Sequence, residues 1–327
     1  MATYTTAETR ALPPGGRARS FLRRGQVGED IAYLITLAAA ATIFLITSLI
    51  FYELYVQSVI SRQKFGFHFL FTSTWDPVAG NFGALPFIYG TVVTAALALL
   101  IAIPQGLGSA IFLAELAPRK VSDSLTFLIE LLAAVPSVIY GLLGIFILVP
   151  FLQADVVPVL KDVFGFLPIF QGAFYGVSYF SAGVVLSVMI MPFIVSVSRE
   201  VLIAVPRDQR EASLGLGASR WQTTWHVVVP YAMKGIMGSV FLALARALGE
   251  TMAVTMVIGN TPQIKASLLA PGYSIAAVIA NEFTEAVGGL YISSLIELGL
   301  VLFVVTFIIN GLARLMIIAA SGGGANT

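Results

Sequence analysis

The sequence predicts an all-α membrane protein, a bundle of six transmembrane helices with a helical loop on one water-facing side. Three observations lead there. Of 327 residues, 58% are hydrophobic and only 11% are charged, against roughly a quarter charged in ordinary soluble domains. Six apolar runs, 31–52, 86–114, 124–151, 177–197, 232–258 and 291–313, each reach the length of about 20 residues that crosses a hydrocarbon core about 30 Å thick. Between the fourth and fifth lies a polar island, 198–220, holding Arg199, Glu200, Arg207, Asp208, Arg210, Glu211 and Arg220. So many charges in so oily a chain belong in water or against a partner.

In chain order, residues 1–30 are polar, with Pro13, Pro14, Gly15, Gly16 and five arginines, and are expected to form a disordered cytoplasmic tail. Run 31–52 lacks the short core and small-residue cleavage site of a secretory signal and is expected to stay as the first span. The connection 53–85 is polar and aromatic, with Arg62, Lys64, His68, Trp75 and Asp76. Segment 151–176 mixes aromatics with prolines, which predicts an outer interfacial stretch. The other large outer connection, 259–290, carries Asn281, Glu282 and Glu285. Both are expected either to face a soluble protein that delivers substrate or to be plain outer loops. Pro104, Pro136 and Pro192 fall in spans and predict kinks. The resulting layout is a tail over 1–30, a six-span domain over 31–318 whose loop occupies 199–231, and a cytoplasmic tail over 319–327.

Lys and Arg in alternate connections set the orientation. The N-terminus, Arg119, Lys120, Arg199, Arg207, Arg210, Arg220, Lys234 and Arg314 place thirteen on one side, and Arg62, Lys64, Lys161 and Lys265 place four on the other. That asymmetry puts both termini and the polar island in the cytoplasm.

The island leads into a spaced motif. Glu211, Ala212 and Ser213 are followed after three residues by Gly217, and after nine more by Val227, Val228, Val229 and Pro230. Residues 207–216 have helical spacing, with Asp208 and Glu211 near the N-terminal end that favours acids. Gly217 can take positive φ and end that helix. Residues 218–229 then predict a second short helix, with Trp221, Trp225 and the valines on one side, stopping before Pro230. Two short helices about a glycine make a rigid knob suited to a groove in a soluble partner; the alternative is a solvated loop with an amphipathic helix on the membrane surface.

Run 232–258 contains Arg246 and Glu250. Arg246 lies 14 residues from the start of that run, about 21 Å at 1.5 Å per residue, near the membrane midplane, where an arginine costs roughly 2.5–3.5 kcal/mol. Four residues apart, Arg246 and Glu250 are expected on one helical face, neutralising each other in part. Ser239, Ala243 and Ala247, and likewise Ala245, Gly249 and Ala253, form small-residue rows that let helices approach closely. Arg246 facing a translocation pathway would offer an anion a planar, two-donor fork, with Glu250 orienting it; a structural ion pair is the alternative. Glu115, Glu130 and Glu297 also fall in or at the end of spans and are weaker candidates for substrate contact.

Several chemistries are missing from the sequence. It has no cysteine, and His68 and His226 are its only histidines, so no metal site is assigned. It has no phosphate-cradling G-x-x-x-x-G-K-[ST] loop, nucleophile elbow or H-E-x-x-H. No catalytic residue, cofactor or nucleic-acid partner is assigned, and a membrane-embedded enzyme is disfavoured.

The spacing at Glu211, Ala212, Ser213, Gly217 and Pro230 resembles the coupling-loop motif of the membrane subunits of ATP-driven importers, E-A-A, three residues, G, nine residues, I-x-L-P. Together with FTSTWDPVAGNFGALPFIYGT, ELLAAVPSVIYGLLGIF and ARALGETMAVTMVIGN, it makes the chain from about residue 32 to 315 resemble the PstC-type permease family of the bacterial high-affinity phosphate importer. Ser213 for the second alanine and valines for the I and L are mild departures. The resemblance implies a type I importer permease fold with a coupling helix and a place in the bacterial inner membrane. It implies four classes of partner: a PstA-type sister permease, a PstB-type ATPase homodimer that binds ATP and Mg, an extracytoplasmic PstS-type phosphate-binding protein, and inorganic phosphate itself, all in a lipid bilayer. It also implies that Arg246 and Glu250 serve phosphate passage. The alternatives are a permease for another oxyanion, such as sulfate or molybdate, and an anion carrier that needs no ATPase.

Overall fold

The structure is a computed structural model that describes residues 16–322, with side chains over 31–315. Contacts divide the chain after Glu53. In the first unit, helix α1 (Gly16–Gln57) begins, and its side chains from residue 31 to 50 are exposed. The expected disorder over 1–30 is therefore corrected in part: 16–30 is helical, and 1–15 lies outside the described residues. The far tail fares similarly, because the last helix runs to Gly322 and 323–327 lies outside the described residues.

The second unit begins with two short helices, α2 (Val59–Phe65) and α3 (His68–Phe71). Helix α4 (Leu85–Ile111) continues through a wider π-turn, Phe112–Leu116. After α5 (Arg119–Ala133) comes a composite helix made of α6 (Ser137–Leu143), α7 (Val149–Phe151) and α8 (Val157–Phe164), joined by π-turns Gly144–Leu148 and Leu152–Val156. Helix α9 (Tyr179–Ile203) leads into α10 (Arg207–Gly215). Then α11 (Arg220–Thr223), the π-turn Thr224–Val228 and α12 (Val229–Gly249) form one helical run. Helices α13 (Met252–Ile258), α14 (Ile275–Glu282) and α15 (Gly289–Gly322) complete the chain. Among the described residues, six helical stretches are long and apolar enough to cross a membrane.

Two span boundaries differ from expectation for a physical reason. The third span is Ser137–Phe164, not 124–151. Val135 precedes proline and is pushed out of helical conformation, so Pro136 separates α5 from α6 instead of kinking a span. The span then continues through Pro150 and Pro158, and 151–164 is helix where an interfacial stretch was expected. All four π-turns among the described residues end two residues before a proline, at Pro118, where the helix has ended, and at Pro150, Pro158 and Pro230, where it continues. Proline cannot donate to the carbonyl four residues back and collides with it; inserting one extra residue in the turn moves that carbonyl away. The same device carries the helix through Pro230, so the second short helix of the loop does not stop there.

Helix α9 is the axis of the bundle, with 67% of its most apolar window buried against 44% for the α4 span. Gly183 packs on Leu97 and Ile194 on Gly106, which sets α4 parallel to α9. Val201 packs on Gly235 and Ser198 meets Ser239, Oγ to Oγ at 2.7 Å, which sets α12 antiparallel to it. The row Ser239, Ala243 and Ala247 is buried as expected. At the opposite end, the segment after α13 folds back into the bundle. Tyr179 donates to the Gln263 carbonyl at 2.8 Å, and Thr91 Oγ1 accepts from the Ile275 N–H at 3.0 Å. Here α4 touches this segment backbone to backbone: a Cβ on Gly90 would sit 2.0 Å from the Tyr273 carbonyl oxygen. Gly90→Ala should therefore lower stability by about 1–3 kcal/mol, read as a fall in the thermal unfolding midpoint of the detergent-solubilised protein; an unchanged midpoint would contradict this contact.

Candidate functional site

The coupling stretch folds as a knob, for local reasons. Helix α10 starts after Pro206 with Asp208 in its first turn. Gly217 then turns the chain at φ 87°. Ser219 caps α11 in a reciprocal box: its Oγ accepts from the Gln222 N–H at 3.2 Å while Gln222 Oε1 accepts from the Ser219 N–H at 2.8 Å. Ser213 and Thr223 meet oxygen to oxygen at 3.0 Å and bind the two helices together. Thus Ser213, the departure from alanine, has a structural use. Glu211 and Ala212 face solvent, as do Leu216, which is 91% exposed, and the edge-to-face pair Trp221 and Trp225. Pro230 lies inside the continuing helix and shapes the knob only through the π-turn before it.

One fastening was not legible from the motif. Arg210 Nη2 donates to Glu115 Oε1 at 2.8 Å and to the Leu202 carbonyl at 2.7 Å, and its other donors reach Glu115 Oε2 and the Val205 carbonyl. The pair is largely enclosed, with side chains 20% and 12% exposed. The guanidinium thus ties α10 both to the end of α4 and to the last carbonyls of α9, where a cation is favoured. Glu115, a weak candidate for substrate contact, is committed here.

The second cluster surrounds Arg246. Its guanidinium stacks 4.1 Å from the ring centroid of Phe193, and Phe193 lies close to the middle of α9. Arg246 therefore stands level with the middle of α9. Its relation to Glu250 is not the one expected. Helix α12 ends at Gly249, and Glu250 is extended, φ −71° and ψ 129°; the two charges do not share a helical face and form no ion pair. Instead Glu250 Oε1 accepts from the Ala253 N–H at 3.1 Å and caps α13, while Arg246 occupies the last turn of α12. Each charge is offset by the dipole of its own half-helix, acid at an N-terminus and base at a C-terminus. The break also splits the second small-residue row, leaving Ala245 and Gly249 exposed while Ala253 is buried. Stacking covers one face of the guanidinium and leaves its in-plane N–H groups to act; Nε is shielded from solvent and has no hydrogen-bond partner.

The remaining acids fall elsewhere. Glu130 is exposed on α5, outside any span. Glu297 is buried beside Ser61 and Arg62 where α15 meets α2. In the connection 259–290 Glu282 turns inward, accepting from Trp75 Nε1 at 2.8 Å and from the Tyr291 hydroxyl at 2.6 Å, and Asn281 donates to the Tyr273 hydroxyl at 3.1 Å. Those two residues hold the fold; Glu285 is exposed. Burial pushes the Tyr273 hydroxyl up to about 12, so it stays protonated and available as a donor.

A family model described as "Binding-protein-dependent transport system inner membrane component" matches residues 102–318. The chain is similar to the phosphate transport system permease protein PstC of Mesorhizobium japonicum, 46% identical over 95% of this chain and 97% of that one. It is similar to the protein of the same name from Haemophilus influenzae, 48% identical over 88% of this chain and 93% of that one. Among solved structures it resembles a chain of a bacterial ABC transporter involved in the import of the acidic polysaccharide alginate, with TM-score 0.58, 18% identity and coverage of 89% and 98%. It also resembles a chain of the MetNI methionine ABC transporter in an inward-facing conformation, with TM-score 0.52, 15% identity and coverage of 71% and 94%. At such identities these structures show the fold alone, that of a type I importer permease.

Proposed function

The chain belongs to the PstC-type permeases among the binding-protein-dependent transport system inner membrane components, and from that premise we propose that it is the permease subunit of an ATP-driven importer of inorganic phosphate. It is a multi-pass membrane protein and a transport component that works with other subunits. In this reading it forms the anion route together with a sister permease of the PstA type, in the bacterial inner membrane with both termini cytoplasmic. A PstB-type ATPase pair binds ATP and Mg and hydrolyses the ATP; a PstS-type binding protein delivers phosphate from outside.

The observation that carries this reading is the Arg246 guanidinium stacked on Phe193 near the middle of α9, beside a helix break and on the same helical turn as the exposed Ala245 and Gly249. A broken helix inside a bundle supplies helix ends and free backbone groups where a substrate passes. The exposed flank of α12 fits a route lined on its other side by the sister permease. At the coupling end, the ATPase groove takes the knob of Glu211, Ala212, Ser213 and Gly217. Closing of the ATPase pair moves α10, and Arg210 passes that motion to α4 and α9, the helix that carries Phe193 under Arg246. This is hinge-like motion biased by a nucleotide.

The test uses the complete complex reconstituted in vesicles with its binding protein. ATP-dependent accumulation of labelled phosphate, undiminished by excess sulfate or molybdate, is the expected result. Equal competition by either oxyanion would reassign the substrate, and accumulation by the chain alone without a P-loop ATPase would remove the ATP-driven reading.

A further inference from the structure

We propose that the permease carries a second oxyanion site, separate from Arg246, in a cavity of about 460 Å³ at the coupling-loop end of the bundle, between the end of α4, α5, α9 and α10. Four arginines line it, Arg119, Arg199, Arg207 and Arg210, against two acids, Glu115 and Asp123. Arg210 and Glu115 pair with each other, which leaves three arginines against one acid, Asp123, in the lining. Outside the lining, the exposed Glu200 takes one donor of Arg199 at 2.9 Å. The cavity remains a net positive, roomy, polar space.

The helix ends beside the cavity also call for an anion. The Arg199 side chain donates to Glu200 and, at 3.3 Å, to Ser122 Oγ, and its solvent-shielded Nε is closed off from the cavity. Arg119 and Arg207 are the first residues of α5 and α10, and both helices begin after a proline with no side-chain cap. Two helix N-termini, each favouring negative charge, thus adjoin the same space. Guanidinium forks match a tetrahedral oxyanion in both charge and geometry, and the cavity is far larger than one phosphate needs, so bound water accompanies it.

The ligand class is a phosphate-type oxyanion, either free phosphate or a phosphomonoester lipid headgroup. Bound there, it bridges α5, α9 and α10 beside the Arg210–Glu115 fastening, and so restrains the coupling helix from the side on which transported anion is released. The identity of the free anion rests on the phosphate reading above; the site itself does not.

The experiment is equilibrium dialysis of labelled phosphate, and separately of sulfate, against the full complex without its binding protein. The complex is held in nanodiscs of phosphatidylcholine, alone or with phosphatidic acid. Measured in an Arg246→Ala background, which removes the transport-route site from the count, we expect saturable binding that weakens at least tenfold in both Arg199→Gln and Arg119→Gln. Loss of phosphate binding on adding phosphatidic acid identifies the headgroup as the occupant, and no competition identifies the free anion. Sulfate binding that depends on the same arginines keeps the site while assigning the transported anion elsewhere. Arg119 is exposed at a helix start, so its variant guards against misfolding at Arg199. The proposal is overturned by no binding in the complex that keeps both arginines, by binding in both variants equal to that of this complex, or by binding seen only when the ATPase is absent, which would mean an acidic group of that subunit fills the cavity.

Discussion

Arg246→Ala should abolish phosphate uptake while leaving the complex assembled and as stable as before. A fork that makes two charge-assisted hydrogen bonds to an anion contributes about 1.5–3 kcal/mol for each. At 1.4 kcal/mol per factor of ten, its loss should therefore lower uptake at least about hundredfold. Arg246→Lys keeps the charge but not the fork and should fall between the two. The stability half of the prediction separates the pathway role from a structural ion pair. Were Arg246 needed to neutralise Glu250, its removal would strand a buried carboxylate and cost stability. Glu250 already holds the Ala253 N–H, and Arg246 rests on Phe193 without an acidic partner. Losing a guanidinium from the interior should then be neutral or slightly favourable to folding. Uptake by the assembled complex and its unfolding midpoint, measured together, decide the matter; normal uptake, or lost uptake accompanied by a lower midpoint and poor assembly, would refute the pathway role.

Which features were legible in the sequence follows from how local each one is. The α10 helix, the positive φ at Gly217 and the start of the next helix near Ser219 depend on a few neighbouring residues, and their chemistry reads directly. Burial of the Ser239, Ala243 and Ala247 row follows from helical period alone. The break at Gly249 did not read, because a single glycine in an apolar run is a weak signal and Glu250 on the same spacing suggested a continuing helix. The third span was displaced because 124–135 is apolar enough to pass for membrane helix although Glu130 and much of α5 face outward. The prolines in 151–176 suggested an interfacial stretch because the π-turns that admit proline into a helix have no signature of their own. Arg210 and Glu115 are 95 residues apart, and no pattern within one sequence joins positions so distant.

That distant pair gives the other large effect. Arg210→Ala should leave Glu115 enclosed without its partner and free the carbonyls at the end of α9, at a cost of about 3–5 kcal/mol. The damage should concentrate in transmission: ATP hydrolysis continues while phosphate uptake collapses, since α10 can move without drawing α4 and α9 after it. Glu115→Gln keeps one acceptor and should cost less. The double variant Arg210→Met, Glu115→Leu replaces a paired charge by apolar bulk, which often restores stability. It should recover the unfolding midpoint yet recover uptake only in part, because packing resists sliding less specifically than a forked bond. The cycle of single and double variants isolates the interaction from its surroundings. An Arg210→Ala complex with an unaltered midpoint and an unaltered ratio of phosphate moved to ATP spent would show that the coupling helix is fastened by something else.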